Sequence, residues 1–270
     1  MLDIRTILFE TLLDKRYLCQ LTAEMDGWIS GMVETLKQAD QIGLKIKFAK
    51  EDGEFVNKND VILSFAGTAV QVSQAEEQLM GYLGKASGVA TAAKHAVDQV
   101  GNKVKIVCGA IKKMPSSLKE SLRNAVLQSG CLVRIAPHPM IYIDKNTVRM
   151  HGGIAQALSA VASLNDHTKC IQLRKYGLAS IADETEIAVA AGADILMIDT
   201  GVVSDLEECI NYLEGNVLRD KVKVAYAGQI TLKDLPSLAK VGVDYLDIGR
   251  AILDAPLMDM SLDVITQTDV

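Results

Sequence analysis

No apolar run in this chain of 270 residues approaches the roughly 20 residues that a membrane-spanning helix needs. The amino terminus, MLDIRTILFE, lacks the pattern of a secretory signal peptide. No block of lysines and arginines occurs either, and the formal net charge is −6. That balance argues against nucleic acid or an anionic membrane as the main partner. The five cysteines, Cys19, Cys108, Cys131, Cys170 and Cys209, are odd in number and widely spaced. They have neither the density of a disulfide scaffold nor the close pairing of a metal site. Cys108, Cys131 and Cys170 lie in or beside apolar, strand-like runs and read as reduced, buried thiols. No G-x-G-x-x-G fingerprint follows any strand-like run, which argues against dinucleotide binding. What is present is 49% hydrophobic and 23% charged residues, enough for a sizeable core. The expectation is a soluble, cytoplasmic α/β protein.

Two regions differ in pattern, 1–85 and 86–270. In the first, Ser30–Gln41 carries apolar residues at helical spacing. Leu44–Phe48, Val61–Phe65 and Ala69–Val72 read as short strands, with an Asp52-Gly53 turn between the first two. Gln74–Leu83 reads as a helix leading into Ala86-Ser87-Gly88. A small sheet overlaid by helices, an α/β sandwich, is expected here.

From Ser87 onward strands and helices alternate. Val104–Val107, Cys131–Ile135, Met140–Ile143, Cys170–Leu173, Ile195–Ile198, Val222–Val224 and Tyr245–Ile248 read as strands. Helices are predicted between them, opened by the capping boxes Ser117/Glu120 and Ser204/Glu207 and by Thr231 with Asp234. Others lie over Ile154–Leu164 and Asp183–Ala190, and a C-terminal helix is expected to pack back on the barrel. Short apolar, β-branched runs alternating with helices predict a parallel sheet, and an incomplete α/β barrel is favoured over an open doubly wound sheet.

In a barrel, function sits just beyond the C-terminal ends of the strands. Asp199 ends the run ILMID there. Its carboxylate suits Mg²⁺ or ribose hydroxyls, with a helix cap or turn as the structural alternative. Lys112 and Lys113 follow the first strand, Arg134 lies in the second, and Asp144-Lys145-Asn146 ends the third. Cations on several strand ends suit an anionic ligand, though each alone is as readily a solvated surface charge. The last two strands end in Ala227-Gly228-Gln229 and in Asp247, Gly249 and Arg250. Two glycine turns leading into helices supply backbone donors to a phosphate, and Arg250 adds a planar, charged grip. The alternative is that the glycines only make tight turns.

Gly242-Val243-Asp244-Tyr245, Gly249 and Met258-Asp259-Met260-Ser261-Leu262-Asp263 resemble the end of the nicotinate-nucleotide pyrophosphorylases, or quinolinate phosphoribosyltransferases. Ala49–Gly53, Gln74-Ala75-Glu76, Ser87–Thr91 and Ala191–Asp194 through Asp199 resemble further segments of that family, in the same order. The resemblance implies an N-terminal α/β sandwich, an incomplete α/β barrel and a homodimer with composite active sites. It also implies transfer of a phosphoribosyl group from phosphoribosyl pyrophosphate, with Mg²⁺, to quinolinate, giving nicotinate mononucleotide, pyrophosphate and CO₂. Lys112 and Asp199 then become catalytic candidates, Asp199 the metal ligand, and Arg174 a substrate-side residue at the end of the fourth strand.

The chemistry residues depart from the family more than the scaffold does. A Glu-Arg pair that reaches across the dimer is Glu76-Glu77 here. Thr-Arg-Lys-Thr becomes Ala110-Ile111-Lys112-Lys113, and a His-Arg pair becomes Val133-Arg134. Lys-Asp-Asn-His becomes Asp144-Lys145-Asn146-Thr147, and Ser-Gly-Gly becomes Ala227-Gly228-Gln229. A desolvated dicarboxylate deprived of charge-assisted donors loses several kcal/mol, and Glu77 adds repulsion. The expectation is a phosphoribosyltransferase-type enzyme with a less anionic acceptor. A non-catalytic nucleotide- or phosphate-binding protein, a molybdenum-transport-associated relative and a scaffold dimer are the alternatives.

Overall fold

The computed structural model describes residues 4–177 and 180–268. They form two compact units. One holds the chain up to Lys94, Met114–Gly130 and the residues from Asp254; the other holds His95–Lys113 and Cys131–Leu253. The strands, in chain order, are β1 (Arg16–Ala23), β2 (Gly27–Trp28), β3 (Lys45–Ala49), β4 (Phe55–Val56), β5 (Val61–Thr68), β6 (Lys105–Val107), β7 (Met140–Ile143), β8 (Thr168–Leu173), β9 (Ile195–Ile198), β10 (Lys223–Ala227), β11 (Tyr245–Asp247) and β12 (Met260–Thr268).

In the first unit β12-β1-β5-β3 form an antiparallel sheet. Alternation along β1 buries Cys19, Leu21 and Ala23 on one face, where they pack with Phe65, Ile62, Leu79 and Leu83. Each large side chain so buried contributes about 1.5–3 kcal/mol of transfer free energy. The expected strand Ala69–Val72 is instead the start of a helix, Ala69–Val100, of 32 residues, which also absorbs the Ala86-Ser87-Gly88 break. Gly88 is a contact surface rather than a stop: a Cβ there would lie 2.0 Å from the Pro256 carbonyl oxygen. The expected C-terminal helix is also overturned. Residues Met260–Thr268 form β12, laid antiparallel on β1.

In the second unit all pairings are parallel, in the order β6-β11-β10-β9-β8-β7. The first strand therefore pairs with the last, as in a barrel, and Leu132 adds a single parallel bridge to Val107. The expected strand Cys131–Ile135 is reduced to that bridge. With no pairing of Leu132 to β7 among the described residues, the barrel is incomplete. Two expected capping boxes do not form: the helices Ser116–Gln128 and Val203–Gly215 begin after Pro115 and Val202, without side-chain caps. The Thr231–Asp234 box does form. No helix among the described residues is long and apolar enough to cross a membrane.

Candidate functional site

Register decides which residues face the barrel interior. Paired residues of parallel strands share a face, and the face alternates with every residue. Cys170, Ile195, Met197 and Ala225 form an interior cluster, with Met140, Ala227 and Tyr245 packed against it. Gln172 pairs with Met197, Ala225 with Met197 and Tyr245, and Ala227 with Asp247. The same parity places Asp144, Gln172, Arg174, Asp199, Ala227 and Asp247 at the C-terminal mouth. Apolar residues thus fill the floor and polar ones the rim.

Asp199 is the hub of that rim. Gln172 Nε2 donates to its Oδ2, and Arg174 Nη1 pairs with the same oxygen at 2.9 Å. Asp199 caps no helix, since the helix after it takes Val202 as its N-cap. Gln172, buried, also accepts the Lys145 backbone N–H through Oε1 at 2.7 Å, tying β8 to the end of β7. Asp144 spends Oδ1 on the N–H groups of Asn146 and Thr147 and on the Thr147 hydroxyl, capping the helix Lys145–His151. The Thr147 N–H foremost among these bonds holds its carboxyl below the usual range.

Asp247 Oδ1 accepts the Gly109 N–H at 2.9 Å, closing β11 onto β6. Burial pushes its carboxyl up, against the pull of that N–H and of Lys112 and Lys113; Asp199 pushes with burial. Lys112 lies 5.9 Å from the Tyr142 ring centre. Burial, then Cys170, Asp199 and Asp247, raise the Tyr142 phenol. Arg134 is exposed beyond the single Leu132 bridge.

The glycine turns lie on neighbouring strands. Gly228 has φ +115°, and a Cβ there would stand 2.6 Å from the Cα and N of Gly201. The turns after β9 and β10 are therefore in backbone contact that no side chain could occupy. Gln229 follows, exposed, at φ 54°. Gly249 closes on the turn after β6, where a Cβ would meet that of Ala110 at 2.8 Å. Arg250, exposed, opens the helix Arg250–Leu253. Glu77 belongs to the other unit, on the helix Ala69–Val100, in an ion pair with Arg5.

Several rim residues carried no local signal. The loop after β8 is held by Glu184, fully buried, whose Oε2 accepts the Arg174 N–H at 2.9 Å and whose Oε1 accepts that of Tyr176. Burial raises the Glu184 carboxyl despite these bonds. Lys175, at φ 59°, reaches the buried Asp205 with Nζ–Oδ1 2.7 Å. The Tyr176 hydroxyl is buried with no hydrogen-bond partner among the described residues.

Models of the quinolinate phosphoribosyl transferase N-terminal and C-terminal domains match residues 3–87 and 89–263. The chain belongs to the quinolinate phosphoribosyltransferase family. It is a divergent member: a probable nicotinate-nucleotide pyrophosphorylase of Archaeoglobus fulgidus is 24% identical over 247 residues, covering 91% of this chain and 93% of that one. A similarly named protein of Bacillus subtilis is 26% identical over 216 residues, 80% of this chain and 71% of its own. The fold is that of the nicotinate-nucleotide pyrophosphorylase of Ehrlichia chaffeensis, with TM-score 0.82, 21% identity and coverage of 97% and 92%. The Francisella tularensis structure gives TM-score 0.80 at 23% identity, covering 96% and 90%.

The Mg²⁺ implied by the family resemblance can be set against this donor set. A divalent cation in a phosphoryl-rich site takes one or two free carboxylates besides the substrate's oxygens. The described residues contain no group of three or more His, Cys, Asp or Glu side chains arranged to hold a metal. The Oδ2 atom of Asp199 already faces two donors, one of them a guanidinium. A metal ligated through that oxygen would have to displace Arg174, so Asp199 as it stands is already served by a protein cation.

Proposed function

We propose that this chain is a phosphoribosyltransferase that binds a ribosyl phosphate at the barrel mouth and transfers it to a less anionic heterocycle than quinolinate. The observation that carries this reading is the contact of the Gly228 and Gly201 turns, with the Gly249 turn on the next strand and Asp199 and Asp247 on the same rim. Neighbouring parallel strands with side-chain-free turns at their C-terminal ends are suited to an anion held by backbone N–H groups. The ring nitrogen of the acceptor attacks the ribosyl anomeric carbon as its bond to pyrophosphate breaks. The chain contributes position and charge to an oxocarbenium-like centre and needs no nucleophilic side chain. Lys112, above Tyr142, is the cation proposed to meet the departing pyrophosphate, and Asp199 the carboxylate for the ribose side.

The acceptor end supports the altered specificity. Of the cations retained from the family's dicarboxylate site, Arg134 is exposed and Lys112 lies beside Lys113 on a short 3₁₀ turn, near the Tyr142 ring. Glu77, where the family has an arginine, is engaged by Arg5 of its own chain. The proposed assembly is a homodimer, and five buried free thiols suit a reducing, cytoplasmic setting. Thermal shift with phosphoribosyl pyrophosphate and with nicotinate mononucleotide tests the reading. A ligand at a hundred times its Kd raises stability by about 2.7 kcal/mol. No shift with either ligand would remove it.

A further inference from the structure

Arg174 is presented to Asp199 by a loop built for that purpose. The fully buried Glu184 accepts the N–H of Arg174 and that of Tyr176, and Lys175, in the left-handed region, is locked to the buried Asp205. Two buried carboxylates thus hold three consecutive residues, while the Arg174 side chain stays partly exposed at 36%. Its Nη1 lies 2.9 Å from Asp199 Oδ2, and Gln172 fixes the same carboxylate from the barrel wall.

From this geometry, and resting on the phosphoribosyl reading above, we infer that Arg174 serves as a resident cation at Asp199, so that the phosphoribosyl pyrophosphate site works without a protein-bound divalent metal. A guanidinium is charged at every accessible pH and offers donors in a planar fork. One edge neutralises Asp199, and the remaining donors are available to the ligand's oxygens. Arg174 is therefore a ligand-binding residue whose charge occupies the place of Mg²⁺. The Tyr176 hydroxyl, buried and without a partner among the described residues two positions on, is a second donor in the same loop.

The test titrates phosphoribosyl pyrophosphate into the full chain in EDTA and in excess Mg²⁺, for the wild type and for Arg174→Met. Arg174 is at the surface of its loop, and near-ultraviolet circular dichroism checks that the variant is folded. Wild-type affinity is expected to agree within about threefold between the two buffers. The variant should lose about tenfold or more in EDTA, the scale of a hydrogen bond to a charged group, and recover part of it in Mg²⁺. A wild type that weakens tenfold or more in EDTA, or a variant indifferent to the loss of Arg174, overturns the inference. A second arm follows Mn²⁺ uptake by electron paramagnetic resonance without any ligand. Uptake by the wild type that Asp199→Asn abolishes also overturns it; its absence supports it. If phosphoribosyl pyrophosphate binds in neither buffer, the functional reading fails, and the Mn²⁺ arm alone decides the role of Arg174.

Discussion

Replacing Gly228 with alanine is the most direct mechanical perturbation of the mouth. At φ +115° an L side chain is strained, by roughly 1–2 kcal/mol for a left-handed conformation. The added methyl would also stand 2.6 Å from both the Cα and N of Gly201, so backbone, not a flexible side chain, must move. Overpacking of that kind costs about 1–3 kcal/mol. The sum is roughly 2–5 kcal/mol, a large share of the 5–15 kcal/mol that is typical of a folded protein. Gly192 is the control: its φ is +86° and nothing lies within 4 Å of its Cβ position, so Gly192→Ala carries the conformational part alone. Urea unfolding of the two variants should differ by about 1–3 kcal/mol, with Gly228→Ala the weaker. It should also lose phosphoribosyl pyrophosphate affinity that Gly192→Ala retains. Equal stabilities, within about 0.5 kcal/mol, would refute the claim that these turns are in obligatory backbone contact.

Three further outcomes follow from the same structure. Gly88→Ala improves helix propensity by about 1 kcal/mol, yet the methyl would fall 2.0 Å from a carbonyl oxygen, so thermal unfolding should show net destabilisation. Glu184→Ala strips the acceptor from the N–H groups of Arg174 and Tyr176 and should lower the unfolding free energy by about 3 kcal/mol, read from chemical denaturation. For Asp247, burial raises the folded-state pKa, so the protonated carboxyl is the form that folding favours. Its stabilising contribution is present below the ordinary aspartate range near 3.8 and is lost as pH rises through the raised value. Asp247→Asn, which keeps an oxygen for the Gly109 N–H, should therefore melt higher than wild type at neutral pH and converge with it in acid.

How much of this was legible in the residues varies with the source of the signal. The run Ile195–Ile198 became a strand with the predicted ends, because an apolar β-branched run buried on both faces has few alternatives, and Met140–Ile143 did so at the sheet edge through four paired residues of β8. The run Cys131–Ile135 looks the same locally but lacks a neighbour on one side, and keeps one bridge. Over Ala69–Val100 a strand and a shorter helix leading into Ala86-Ser87-Gly88 were expected, but Gly88 continues the helix and lies where the 256–258 backbone passes close by. Ser117 and Ser204 had the spacing of capping boxes, yet the chain enters those helices from Pro115 and Val202. Asp199 was visible as the carboxylate ending an apolar run. Its partners Gln172 and Arg174 became neighbours only through the β8–β9 register, which is a tertiary fact. Glu184 carried no signal of its own, because its role is to accept backbone N–H groups from the irregular loop that leads into its helix.

The most direct measurement of the central claim is pyrophosphate release from phosphoribosyl pyrophosphate, followed with quinolinate and with a panel of neutral and cationic nitrogen heterocycles. Release is expected with at least one member of the panel and none above background with quinolinate. Release driven by quinolinate, with the panel silent, would contradict the claim.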